Sequence, residues 1–143
     1  VEVTCNWFSL YVLENVCGVK DAFRRKVGDL NHQRQMKRKH IENGRSFESL
    51  KNDPFLYLLM DYQLKEAFGW EPFMKITAGY RQDEATARES LPKNDAEKID
   101  QYMVRFSEAV GRDLSGYFDD WGVPISDAAR QRVADLPDWA PDF

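Results

Sequence analysis

The chain has 143 residues, 43% of them hydrophobic and 13% aromatic, with a net charge of −4 and a pI near 5.2. This length and apolar share suit one ordinary globular domain and exclude a disordered chain. The acidic balance excludes a generally basic nucleic-acid binder, and no apolar run approaches the roughly 18 residues of a membrane span.

The elements read as helical almost throughout. The first helix is expected over residues 2–17, where Val3, Trp7, Leu10, Tyr11, Leu13 and Val16 recur at three-to-four spacing and Gly18 supplies a stop. A second stretch runs over 21–27 with Gly28 as its end, and a third over 31–42, closed by Asn43-Gly44. The clearest helix begins at Asp53-Pro54, an N-cap followed by the residue favoured at the first helical position, and ends at Gly69. It is apolar on nearly every side, the pattern of a helix covered by several neighbours. Glu71-Pro72 opens the next, expected to end near Tyr80, and the polar residues 81–93 are expected to form a loop and a candidate hinge. Asn94 with Glu97 makes a capping-box start for a helix whose inner stripe is Ile99, Met103, Phe106 and Val110. A short helix then carries Leu114, Tyr117, Phe118 and Trp121. Ser126 caps a last one, and Trp139 is expected to fold back onto the body. The reading is one all-α domain over 1–143, an irregular array of about seven to eight helices rather than an up-down bundle.

The residues that could do chemistry are few. Cys5 and Cys17, 12 positions apart, read as two free buried thiols. On one helix their Cα atoms would be about 18 Å apart, against the 4.4–6.8 Å, roughly, that a disulfide spans. His32 and His40 are the two histidines; they belong to no ligand motif and read as solvated helix residues. Glu2 and Asn6 stand one helical turn apart, which on its own fits a capping carboxylate as well as a site. Tyr57, Tyr62, Gln63 and Glu66 interrupt the apolar helix and read either as hydrogen-bonded core residues or as the wall of a site. Residues 20–45 carry nine cations against Asp21, Asp29 and Glu42. They form either a solvated face or a patch for an anionic partner with salt-dependent affinity.

Three blocks carry a resemblance. Residues 2–12, Glu2-Val3-Thr4-Cys5-Asn6-Trp7-Phe8-Ser9-Leu10-Tyr11-Val12, resemble the E-V-T-x-N-x-x-S-L-Y-V segment of enhancin-like (M60-like) metallopeptidases. Residues 62–73, from Tyr62-Gln63-Leu64 to Phe73, resemble their Q-L-x-x-x-F-G-W-x-x-F segment. Phe106-Ser107 through Leu114, then Phe118 and Trp121-Gly122-Val123-Pro124-Ile125, resemble their F-S-x-x-x-x-x-x-L…F-x-x-W-G-x-P-I segment.

The resemblance implies the helical half of a gluzincin. In that family an H-E-x-x-H helix gives two zinc ligands and the general base, and a Glu on a later helix gives the third ligand. Glu2 is the position that matches this third ligand, and Asn6 would hold a ligand in orientation. Tyr62, and after it Tyr57, are the candidates for stabilising the oxyanion. No H-E-x-x-H occurs in the chain, and it starts at Val1 rather than Met. It therefore reads as the C-terminal part of a larger peptidase domain, expected to be inactive alone and not to hold catalytic zinc tightly.

By the same resemblance the parent would be a zinc metallopeptidase acting on mucin-type, O-glycosylated glycoproteins. It would be secreted or at the cell surface, and completed by its own N-terminal half. Vertebrate channel-associated relatives carry a similar domain in a binding role, so a protein- or glycan-binding module is the alternative.

Overall fold

The start and stop signals become helices in the computed structural model, which describes residues 2–142; the side chains of Glu2, Val3 and Lys26 lie outside the described ones. The helices are α1 (Glu2–Asn15), α2 (Ala22–Val27), α3 (Leu30–Glu42), α4 (Phe47–Asn52), α5 (Pro54–Phe68), α6 (Glu71–Thr86), α7 (Asp95–Val110), α8 (Ser115–Asp120) and α9 (Asp127–Val133), with a 3-10 turn at Arg88–Ser90. Among the described residues there is no strand, only an isolated parallel bridge between Asp113 and Asp138. The fold is all-α, as the sequence implies.

The chain divides into two compact units, one reaching to Glu66 and the other Ala67–Asp142. The division falls in the last turn of α5, so no linker composition marks it. The first unit buries Leu10, Phe23, Leu50 and the α5 residues Leu58, Leu59, Met60 and Leu64. The second buries Met103, Phe106, Leu114, Tyr117, Phe118, Trp121 and Val133.

The caps explain the helix starts. Asp53 Oδ1 accepts from the N–H groups of Phe55 and Leu56, both at 3.0 Å, ahead of Pro54. Asn94 Oδ1 accepts from Glu97 N–H at 2.9 Å, and the Glu97 carboxylate accepts in return from Lys93 N–H at 2.7 Å. Ser126 Oγ accepts from Ala129 N–H at 3.2 Å. Gly111, at φ +67°, ends α7 in the left-handed conformation that glycine adopts without a Cβ clash.

Four expectations are corrected. First, α1 stops at Asn15, and among the described side chains of its expected inner stripe only Leu10 is fully buried, with Val16 73% exposed. Both cysteines, expected buried, are free and exposed. Second, α4 was not expected. Six residues are too few to show a period, and its signal is local: Ser46 Oγ accepts from Ser49 N–H at 3.3 Å, while Leu50 plugs the core.

Third, α6 continues to Thr86, through half of the expected 81–93 loop. Its polar extension is held to α7, where the Arg105 guanidinium pairs with Asp83 and lies 4.2 Å from the Tyr80 ring. A Cβ on Gly79 would approach Arg105 to 3.0 Å, so the glycine makes room for that side chain. Fourth, His40 is buried, at 3% exposure, whereas His32 is exposed as expected. The closing tail does fold back. Asp113 N–H donates to the Pro137 carbonyl at 2.9 Å, and Trp139 lies 5.0 Å from the Phe68 ring and 5.1 Å from that of Tyr117.

Candidate functional site

The candidate residues of the sequence fall on α1 and α5, both in the first unit apart from the last turn of α5. Because α1 is helical from Glu2 onward, Glu2 and Asn6 do stand one turn apart on one side of it. Asn6 is half-buried, while the Glu2 side chain lies outside the described ones.

On α5, Tyr57 and Tyr62 are five positions apart, which at about 100° per residue turns them roughly 140° from one another. One helix face cannot present both. Tyr62 stacks flat on Phe23, with ring centroids 3.5 Å apart and planes within 3°. Lys65 Nζ lies 5.2 Å from the centre of the same ring and bridges two carboxylates, Glu14 of α1 at 2.9 Å and Glu66 at 3.0 Å. The Tyr62 hydroxyl is hydrogen-bonded to Glu66.

This Lys65–Glu14–Glu66 group was missed in the sequence. Its only local signal is the spacing of Tyr62, Lys65 and Glu66 on one helix face; Glu14 is remote in sequence. Asp61 and Gln63 are buried on α5 at 7% and 5% exposure, so its polar residues belong largely to the interior.

These surroundings fix protonation. Burial first, and the Asp61 carboxylate second, push the Tyr57 phenol well above its ordinary range. Burial also pushes Tyr62 up, with Glu66 and Glu14 adding and Arg24 opposing. For Lys65, burial pulls the ammonium down, but its hydrogen bonds to Glu14 and Glu66 outweigh that and leave it raised. Near neutral pH both tyrosines are therefore hydrogen-bond donors and Lys65 is a cation.

A group whose folded-state pKa is raised contributes stability below its unfolded value and loses it as pH rises through the folded one. Melting temperature is thus expected to fall as pH climbs above about 10, the unfolded tyrosine value. Tyr57→Phe should make that fall shallower. A melting temperature flat from neutral to strongly alkaline pH would contradict this assignment.

Among the described residues, no group of three or more His, Cys, Asp or Glu side chains converges to hold a metal ion. His32 and His40 lie on α3, one exposed and one buried. The described residues of this chain do not by themselves make up a zinc site.

A surface cavity of about 340 Å³ in the second unit is lined by Lys93, Asp100, Gln101 and Arg132, among others. Most of its polar groups are engaged in the fold: Asp100 accepts from Ser126 N–H at 2.9 Å, Gln101 Nε2 donates to the Ser90 carbonyl at 2.8 Å, and Arg132 pairs with Glu108.

The second and third sequence blocks turn out to be scaffold. Gln63 and Leu64 are buried, and Gly69 turns the chain at φ +74°. Phe68 sits 6.5 Å from the Phe106 ring, and the half-buried Trp70 sits 6.1 Å from Phe73. Ser107 Oγ accepts from the buried Leu114 N–H at 3.2 Å, which accounts for the spacing of serine and leucine in the third block. Trp121, Val123 and Ile125 are buried around Gly122, at φ +72°.

Comparison with known proteins follows the same blocks. The family model described as peptidase M60, enhancin and enhancin-like, matches residues 1–122. TRPM8 channel-associated factor 3 of Mus musculus is 33% identical over 139 residues, 96% of this chain and 14% of the mouse protein. TRPM8 channel-associated factor 2 of Homo sapiens is 31% identical over 138 residues, again 96% of this chain and 14% of the human protein. A TRPM8 channel-associated factor homolog of Danio rerio is 32% identical over 139 residues, 97% of the chain and 14% of the fish protein. The chain therefore spans about one-seventh of the length of these relatives. No solved structure matches it.

Proposed function

Because the chain belongs to the peptidase M60 family of enhancin and enhancin-like proteins, we propose that it is the C-terminal helical part of a gluzincin-type zinc peptidase domain. The observation that carries the reading is the family match over residues 1–122, which includes the α1 block with Glu2 and Asn6 one turn apart. In this reading Glu2 contributes a carboxylate oxygen to a zinc ion whose two histidine ligands, with the general-base Glu, come from a segment this sequence does not contain. The ion, when bound, supplies an activated water and polarises the scissile carbonyl.

This chain's own residues have narrower tasks. Asn6 orients a ligand, and a neutral tyrosine on α5 donates a hydrogen bond to the developing oxyanion. Tyr62 is the first choice because it lies in the matched 62–73 block; Tyr57 is the second. The substrates are O-glycosylated, mucin-type glycoproteins, met outside the cell or at its surface.

A second reading is favoured by the names of the relatives, which are channel-associated factors. It makes the domain a non-catalytic module that binds a protein or glycan partner. The scaffold character of the second and third blocks supports both readings equally, since a binding module needs the same core.

The deciding experiment restores the upstream segment and measures zinc per chain and cleavage of an O-glycosylated protein. The peptidase reading expects one tightly held zinc and cleavage that a chelator abolishes. Absence of both from a folded longer protein would leave the binding module.

A further inference from the structure

Several cations of residues 20–45 are exposed in the structure. Arg24 and Arg25 on α2, and Arg38 and Lys39 on α3, are exposed and enter no ion pair among the described residues. The fully buried residues of α3 are polar, Gln33 and His40, while its apolar residues stay partly exposed. Leu30 and Ile41 are 41% and 40% exposed.

At about 100° per residue, Leu30, Arg34, Arg38 and Ile41 fall within an arc of roughly 80°. The face thus carries two cations between two aliphatic residues that stand about 16 Å apart along the helix. Of the acids in this segment, Asp29 is occupied in capping α3, accepting from His32 N–H at 3.0 Å.

We propose that this face of α3 docks on an anionic lipid surface, with Arg34 and Arg38 at the phosphates and Leu30 and Ile41 at the acyl boundary. Charge complementarity calls for a polyanion in an otherwise acidic protein. Two further observations choose among polyanions. Phe23 is the only Phe, Tyr or Trp between 20 and 45 and is fully buried, so the face offers no large stacking platform for single-stranded nucleic acid. Exposed aliphatic side chains in line with the cations fit a headgroup boundary, whereas a sulfated polysaccharide gives them nothing to contact.

The test uses the 143-residue chain with sedimenting vesicles of phosphatidylcholine alone or mixed with phosphatidylserine. Binding is expected only to the mixture, weakening as salt is raised. The pair Arg34→Gln and Arg38→Gln should weaken it by about fivefold for each cation removed. The pair Leu30→Ser and Ile41→Ser should weaken vesicle binding while leaving retention on heparin unchanged. All four residues are exposed, and an unchanged far-UV circular dichroism spectrum checks that the fold is intact.

No difference between the two vesicle types overturns the proposal. So does vesicle binding that neither pair of substitutions changes. Retention on heparin without vesicle binding overturns it in favour of a soluble polyanion. None of these outcomes bears on zinc or cleavage, so this surface and the peptidase reading stand or fall separately.

Discussion

In the longer protein, Glu2→Gln is expected to remove bound zinc and cleavage together, and by a larger factor than Asn6→Ala. The amide keeps the size of the carboxylate but loses its charge, and a divalent ion bound by two neutral imidazoles depends on that charge. Losing a residue that only orients a ligand costs about 10–100-fold in affinity or activity, which sets the scale for Asn6→Ala. Loss of the ligand itself should exceed it. Tyr62→Phe separates the roles further. It is expected to leave zinc content unchanged and to lower kcat by roughly 10²–10³-fold, the cost of one oxyanion donor.

A Glu2→Gln protein that keeps both zinc and activity would exclude Glu2 as the ligand. A Tyr62→Phe protein with full kcat would return the oxyanion role to Tyr57 or to a residue outside this chain. The Glu66 hydrogen bond sharpens that measurement. If the Tyr62 hydroxyl serves only Glu66 and the Lys65 bridge, the substitution shifts the melting temperature and leaves kcat alone.

The helices that were legible in the sequence are those whose ends carry their own chemistry. Asp53-Pro54 and the Asn94–Glu97 box set the starts of α5 and α7, and both are present as hydrogen bonds. Two of the misreadings share one cause: they depended on contacts with residues far away in sequence. Polarity over 81–86 looked like a loop, but the residue that holds this stretch in α6 is Arg105 on another helix. His40 looked solvated because most of α3 is polar, and only tertiary packing decides which polar side turns inward.

The spacing of α1 implied a stripe of buried residues, but spacing gives a face and not what covers it. Of that stripe Trp7, Tyr11 and Leu13 are half-buried and Val16 is 73% exposed. The candidate site was legible only as far as its residue types. Periodicity placed Tyr57 and Tyr62 on one helix, but their divergence around it, and the Glu14–Lys65–Glu66 bridge beside Tyr62, are three-dimensional facts.

The strongest stability effect is expected from Phe106→Ala. Phe106 has no exposed surface, and its ring meets Phe73 edge-on at 4.8 Å, Tyr102 at 5.9 Å and Phe68 at 6.5 Å. It therefore joins α6 and α7 to the end of α5. Truncating a fully buried phenylalanine costs about 3–5 kcal/mol, a large share of the roughly 5–15 kcal/mol that holds a domain folded.

Its neighbour provides the contrast. Ser107→Ala leaves no comparable cavity but orphans the buried Leu114 N–H, a loss of about 1–3 kcal/mol. Urea unfolding followed by circular dichroism should show the midpoint falling for both, and further for Phe106→Ala. A Phe106→Ala midpoint within error of the parent would mean that the aromatic cluster is not what holds Ala67–Asp142 together. The phenylalanine of the third block would then have lost its structural explanation, and a direct part in binding or catalysis would have to be sought for it.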